Sequence, residues 1–202
     1  TAITTGDNNT AIGRRSLEDN TTGSENTAIG QGSSEENTTG GSNIAIGSNA
    51  LNANTEGNNN VAIGYEAIST ATNIGNLTAV GYQALKANAN DGYGSTAVGY
   101  LSLTANTSGD YNTAVGRESL ETNTTGGYNT AIGYKSLEDN TTGQDNVAVG
   151  YIALNSNTTG NYNTALGYAA LTTNTTARDN SALGYKALEN NTTGAYNTGL
   201  GY

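Results

Sequence analysis

The chain is built from one short unit that recurs at a fixed step. Ala-aliphatic-Gly tripeptides start at residues 11, 28, 45, 62, 79, 97, 114, 131, 148, 165 and 182, and Gly199-Leu200-Gly201 is a variant copy. The step is 17 residues throughout, except for one step of 18 between Ala79 and Ala97. A fixed period of this length indicates a solenoid, in which stacked repeats bury a continuous core.

A well-formed unit runs from Asn129 to Asp145 and shows how each repeat divides. Thr-Ala-Ile-Gly-Tyr is typical of a short strand with Thr and Ile on one face, and Ala-Leu or Ser-Leu favours a second, shorter extended piece. Asn-Thr-Thr-Gly has the composition of a turn. These patterns predict an all-β fold, a parallel β-solenoid (β-roll) of about 12 coils. We expect it to form a single domain over residues 1–202.

Charged residues are confined to certain phases of the repeat. None occupies the strand or the Ala/Ser-Leu positions, whereas Glu138 and Asp139 lie in a phase that carries charge in several units. Because buried positions exclude ions, the two uncharged aliphatic positions are predicted to form the core. The predicted core ladder is Ile12, Ile29, Ile46, Ile63, Val80, Val98, Val115, Ile132, Val149, Leu166 and Leu183, with Leu51, Leu85, Leu120, Leu137, Leu154, Leu171 and Leu188.

Two aliphatic side chains per coil make a thin core, because each contributes only about 1.5–3 kcal/mol when buried. We therefore expect further burial between chains. Both ends of the sequence fall inside a unit and lack a polar cap, which favours either a fragment or end-to-end stacking into a filament. The single extra residue is expected in a loop within residues 88–95.

Composition narrows the function classes. The formal charge is −10, and the chain has no His or Cys. Without a basic stripe or a long apolar run, we expect no nucleic-acid partner, no binding to anionic membranes and no membrane insertion. The carboxylates recur at the loop positions of the repeat and form no single cluster, so no catalytic residue or cofactor is predicted. No repeat position carries Asp in most coils, so no structural metal site is predicted. The expectation is a protein that is not an enzyme.

One column carries potential glycosylation sites. Each member begins an Asn-x-Ser/Thr sequence in the same phase of the repeat, which would place the acceptors in one exposed line. The alternative is turn chemistry, since Asn tolerates left-handed backbone and bonds its own turn. The column consists of Asn20, Asn37, Asn106, Asn123, Asn140, Asn157, Asn174 and Asn191.

Tyrosines form two columns, and the first follows the strand glycine. This column has two possible roles. Its rings could stack as a ladder that covers the sheet or a contact between subunits, or they could bind carbohydrate. Its members are Tyr65, Tyr82, Tyr100, Tyr134, Tyr151, Tyr168 and Tyr185, continuing to Tyr202. The second column holds Tyr111, Tyr128, Tyr162 and Tyr196. Ice binding by Thr columns is disfavoured, because Thr124 and Thr125 would point to opposite sides of an extended strand.

The string Asn-Thr-Ala-Ile-Gly-Tyr-x-Ala/Ser-Leu resembles the Asn-Ser-x-Ala-Ile-Gly pattern of YadA-like head repeats in trimeric autotransporter adhesins. Similar repeats occur in phage tail fibres. The resemblance covers nearly the whole chain and implies a trimer of left-handed parallel β-rolls on the outer face of bacteria. This chain departs from the pattern in its longer coil and in its Asn-Thr-Thr-Gly turn.

Together these features favour a structural extracellular protein, an adhesin head or shaft or a surface filament. It would self-assemble as a homotrimer or an end-to-end filament, with a host matrix, glycan or other surface as its partner. The alternatives are an ice-binding or glycan-binding solenoid and a phage tail-fibre segment.

Overall fold

The computed structural model describes residues 5–88 and 92–202. It contains twelve strands of three residues, each parallel to the next, in one sheet whose strand order follows the sequence. The strands are β1 (Thr10–Ile12), β2 (Thr27–Ile29), β3 (Ile44–Ile46), β4 (Val61–Ile63), β5 (Thr78–Val80), β6 (Thr96–Val98), β7 (Thr113–Val115), β8 (Thr130–Ile132), β9 (Val147–Val149), β10 (Thr164–Leu166), β11 (Ser181–Leu183) and β12 (Thr198–Leu200). The predicted parallel β-solenoid with 17 residues per coil is confirmed.

Backbone hydrogen bonds link successive coils around most of their circumference, beyond the strands themselves. In one coil, Leu137 N donates to Ala153 O at 3.1 Å and Thr141 N donates to Thr158 O at 2.9 Å. The turns are therefore ladders too, although they are not strands. No helix occurs in the described part of the chain, and so it contains no helix able to cross a membrane.

The central Ala of the strands faces the interior, and the flanking Thr and Ile point outward. The central positions from Ala28 to Ala165 are fully buried. At β12, where Gly199 replaces this Ala, an added Cβ would lie 2.6 Å from Leu188 Cγ. Leu188 thus occupies the space that the Ala methyl fills in other coils, and the interior beside the Leu column is narrow.

This orientation corrects the predicted core. The last strand residues, from Ile12 to Leu183, are half-buried or exposed; Ile12 is 58% exposed and Ile132 is 40% exposed. Successive strand residues alternate between faces, so when Ala turns inward the residues on either side must turn outward. The aliphatic column at the strand ends therefore does not lie in the core of the single chain.

The second aliphatic column does lie in the core, but its backbone is not extended. Leu51, Leu85, Leu120, Leu137, Leu154 and Leu171 are fully buried, and Leu188 packs against them partly buried. Their backbone is in the left-handed conformation, with φ of 53° at Leu137. The second extended segment that the sequence predicts is therefore a bend instead. β-branched residues adopt φ > 0 poorly, which explains why Leu predominates here while Ile and Val predominate at the strand ends.

Each strand ends at a glycine that no other residue could replace without strain. Gly133 has φ of 133°, and a Cβ there would fall on the carbonyl of Gly150 in the next coil. Glycine therefore both permits the backbone turn and allows the coils to approach closely.

Two columns of buried asparagine fill the rest of the interior. In the column before the strands, Asn129 Nδ2 donates to Gly143 O at 2.8 Å, and Asn129 Oδ1 accepts from Asn146 N at 3.0 Å. In the column within the turns, Asn140 Nδ2 donates to Gly143 O at 3.0 Å and to Asn123 Oδ1 at 2.8 Å. Amide-to-amide hydrogen bonds between successive coils thus predominate in the turn column, while the pre-strand column bonds mainly to backbone.

The coil between β4 and β5 replaces these polar positions with apolar residues. Ala71, Ile74 and Leu77 stand where other coils have the turn Asn, the turn Gly and the pre-strand Asn, and all three are buried. Because Ala71 has no amide to donate, Asn54 Oδ1 is left buried without a hydrogen-bond partner. One apolar cross-section is therefore inserted among polar ones, and its junction with the preceding coil leaves the Asn54 Oδ1 acceptor unpaired.

The next turn is one residue longer than the others. Asn88 Nδ2 donates to Gly92 O at 3.0 Å across four residues, where the corresponding bond of Asn106 to Gly109 spans three. The extra residue therefore lies among residues 89–91, inside the predicted range of 88–95 but outside the described residues.

We expect Asn140→Ala to destabilise the fold by about 2–4 kcal/mol, because it leaves the buried Asn123 Oδ1 and one N–H of Asn157 unpaired. Chemical denaturation followed by circular dichroism measures the change. Thr142→Ala, at an exposed position of the same turn, is the control and should change stability by less than about 0.5 kcal/mol. Equal losses from the two variants would show that the amide ladder does not stabilise the fold.

Candidate functional site

The outward side of the sheet is an uncharged surface, which we call the outer face. It consists of the first and last residues of β1 to β12, mostly Thr in one column and Ile, Val or Leu in the other. The strands contain none of the 17 Asp and Glu or the seven Lys and Arg of the chain. In the parallel register each residue lies beside its equivalent, as Val115 lies beside Ile132. The result is a regular two-column strip along the sheet.

The predicted glycosylation column lies inside the solenoid. Asn20, Asn37, Asn106, Asn123, Asn140, Asn157 and Asn174 are buried, and Asn191 near the last strand is half-buried. Both Nδ2 hydrogens of Asn157 are used, one by Asn140 Oδ1 and one by Gly160 O. A glycan on this nitrogen would break the ladder, so the column forms turns and core rather than an exposed line of acceptors.

The two Thr residues of each turn have different roles. Thr141 Oγ1 donates to Thr158 O in the next coil at 3.0 Å, whereas Thr142 is exposed. The equivalent pair differs in the same way, with Thr124 half-buried and Thr125 exposed, although the backbone here is a turn and not the extended strand considered in the prediction. In these two turns the second Thr is therefore the more exposed of the pair.

The first tyrosine column forms a stacked ladder. Ring centroids of Tyr134 and Tyr151 lie 5.1 Å apart, and the stack continues through Tyr168 and Tyr185 to Tyr202 at the same spacing. A second stack joins Tyr65, Tyr82 and Tyr100 at 5.2–5.4 Å. Arg117 lies between the two stacks, with its guanidinium carbon 5.4 Å from the Tyr100 ring and 5.8 Å from the Tyr134 ring.

This stacking determines which parts of the rings a ligand could reach. Tyr151 is 47% exposed, yet both its faces are covered by the rings of Tyr134 and Tyr168. Sugar rings bind aromatic side chains through their faces, and here only ring edges and hydroxyls are open. The ladder thus provides packing along the rod, and inside a stack it offers no platform for a carbohydrate.

A carboxylate cluster occurs on the side of the coils between β7 and β9. Oxygens of Glu118, Glu121 and Glu138 lie within 4.8 Å of one another. Lys135 Nζ lies 2.6 Å from Glu138 and 3.4 Å from Glu118, and Arg117 Nη2 lies 2.8 Å from Glu118. The protein's own cations therefore already neutralise much of the cluster, which sequence spacing alone did not single out.

The pKa values of the residues in this cluster shift in different directions. The hydrogen bond from Arg117 lowers the pKa of Glu118, despite its burial. Burial raises the pKa of Glu121, and the neighbouring Glu118 and Glu138 raise it further. The hydrogen bond to Glu138 raises the pKa of Lys135. Lys135 therefore stays protonated and holds the cluster together.

The second tyrosine column has a different environment. Tyr111, Tyr128, Tyr162 and Tyr196 are left-handed residues just before the pre-strand Asn, and they are 55–70% exposed. Tyr111 and Tyr128 stack at 5.4 Å, whereas Asp145 and Asp179 separate the remaining rings along the column. These rings keep faces that are not covered by another tyrosine.

Comparisons with known proteins identify no relative of this chain. No family model matches it, and neither a curated protein nor a solved structure does.

The two tyrosine columns should respond differently to substitution. Tyr151→Ala removes two stacked pairs and is expected to cost about 1–3 kcal/mol of unfolding free energy. Tyr162→Asn removes an unstacked ring at a position where other coils carry Asn59 or Asn76, and it should change stability by less than about 0.5 kcal/mol. Urea unfolding measures both. Equal effects would mean that ring stacking does not stabilise the rod.

Proposed function

We propose that this protein is a structural, non-enzymatic rod of an extracellular surface, a shaft or adhesin head that assembles side by side through its outer face. The observation that carries the proposal is one uniform sheet of twelve strands with an uncharged strip along its length. A repeated strip suits contact with a long, equally regular partner, and a second copy of the chain is such a partner.

Charge distribution supports self-association through the outer face. The chain carries a net charge of −10, which opposes contact between copies over most of the surface. All ionisable side chains lie off the strands, so two outer faces meet without placing a charge at the contact. Thr and aliphatic side chains together give an apolar surface that retains some hydrogen-bonding groups.

The thin core supports the same proposal. Inside the single chain, the buried residues are mainly Ala, Leu and Asn, while the larger Ile and Val side chains of the strands remain partly open. Pairing of outer faces would remove this apolar area from water at about 25 cal/mol per Å². Lateral assembly would therefore supply burial that a single coil lacks.

Substitution of the outer face tests this assembly. Sedimentation of the wild-type chain should give a mass that is a multiple of 20.5 kDa. Val115→Lys with Ile132→Lys should reduce it to the monomer mass, because each copy would bring two ammonium groups into the contact, where they would be desolvated.

The control places the same charges elsewhere on the same coils. Thr125→Lys with Thr142→Lys adds two ammonium groups on exposed turn positions and should leave the assembly intact. A wild-type chain that remains a monomer at all concentrations, or equal dissociation by both double variants, would contradict lateral assembly. Electron microscopy of the native material would then distinguish short heads from continuous filaments.

A second candidate function is ice binding. The turn threonines do not favour it, but the outer face does. Thr and Ile or Val project from the same side of a parallel sheet, with rows about 4.8 Å apart. Such a regular array of hydroxyl and methyl groups suits an ordered water surface. Thermal hysteresis of the purified monomeric fraction tests it, and freezing behaviour equal to that of a size-matched control protein would remove this candidate.

A further inference from the structure

In the second tyrosine column, two Asp residues each lie between two tyrosines; we call each such arrangement a slot and its two tyrosines the walls. Tyr128 and Tyr162 flank Asp145 in the first slot, and Tyr162 and Tyr196 flank Asp179 in the second. The two walls of a slot are two coils apart, hence separated by about 10 Å. Tyr128 and Tyr162 each have φ of 58° and are each 58% exposed, so the two walls of the first slot have the same backbone conformation and the same exposure.

The wall geometry follows from the neighbouring ring. Tyr128 stacks on Tyr111, so one face of its ring is covered and the opposite face is directed toward the coil of Asp145. A cation midway between two such rings would lie about 5 Å from each centroid, within the roughly 6 Å range of cation–π attraction. The carboxylate of Asp145 lies in the same column and supplies the opposite charge.

In the second slot a cation of the chain itself lies against one wall and next to the carboxylate. The guanidinium carbon of Arg178 lies 5.6 Å from the Tyr196 ring centroid, and Arg178 Nε lies 3.7 Å from Asp179 Oδ2. The side chain thus occupies the space between aromatic wall and carboxylate. A guanidinium is therefore accommodated against one tyrosine ring and beside the Asp179 carboxylate.

In the first slot an uncharged residue takes the place of Arg178. Tyr162 N donates to Gln144 O at 3.1 Å, just as Tyr196 N donates to Arg178 O at 3.2 Å, so Gln144 and Arg178 are in equivalent register. Gln144 and Asp145 are both exposed. The first slot therefore has the walls and the carboxylate of the second slot without its guanidinium.

We propose that the slot formed by Tyr128, Asp145 and Tyr162 binds an organic cation, a guanidinium or an alkylammonium group. Two aromatic walls attract the cation through their ring quadrupoles, and Asp145 neutralises it. The net charge of −10 raises the local concentration of cations near the rod. The site lies on a turn, apart from the strands of the outer face, and its function is independent of lateral assembly.

Titrations followed by NMR of the tyrosine ring signals test the site with two probes. Choline supplies a free alkylammonium, and N-acetyl-arginine amide supplies the guanidinium of a protein side chain. Saturable shifts of the Tyr128 and Tyr162 signals by either probe support the site, and the probe that binds identifies the source. The neutral carbon analogue of choline and N-acetyl-citrulline amide should produce no saturable shift.

Substitutions that exchange the residue that differs between the two slots, Gln144 or Arg178, test most directly whether the probe binds in the slot. Gln144→Arg should fill the first slot from within and abolish probe binding while leaving both rings in place. Arg178→Gln should open the second slot, so that the Tyr196 signals shift as well. Asp145→Asn and Tyr162→Asn should each weaken binding at least about threefold.

Circular dichroism should show the same fold for all four variants, since the exchanged residue types occur naturally in exposed turns of this chain. The proposal is overturned if neither probe binds, if the neutral analogues bind equally well, or if Gln144→Arg binds the probes as tightly as wild type does.

Discussion

Hydrogen bonding between equivalent residues of successive coils is the interaction on which the rest of the structure depends. Backbone groups bond from coil to coil in strands and turns alike, and the buried turn asparagines extend the same ladder with side chains. Asn140 accepts from Asn157 and donates to Asn123, so each amide is satisfied only if its neighbours occupy the same register. Buried polar groups are costly when unpaired, and this cost maintains the 17-residue period.

The ladder also explains why small residues dominate. Close approach of the coils requires glycine after each strand, where a Cβ would fall on the next coil. A narrow interior admits Ala from the strand and Leu from the bend, and the left-handed backbone of the bend disfavours β-branched residues. The larger Ile and Val side chains must then lie outside, where they form the uncharged outer face that we propose as the assembly surface.

The neighbours of each tyrosine along its column determine which parts of its ring are exposed. Identical neighbours produce the closed tyrosine stack around Tyr151, which leaves only edges for contact. Alternating neighbours separate the rings around Tyr162 by Asp145 and Asp179, so that their faces are not covered by another tyrosine. Tyrosine therefore serves packing in one column and forms the proposed binding surface in the other, and the neighbour one coil away decides which.

The sequence by itself determined the period, the parallel solenoid, the location of the inserted residue within 88–95 and the columns free of charge. These follow from spacing, which is a property of the chain in one dimension. The tertiary structure alone decided that Ala28 faces inward while Ile29 faces outward, because alternation defines two faces and only the width of the interior selects one. It likewise decided that Asn140 is buried, since the sequence shows a turn but not which of its side chains close against the next coil.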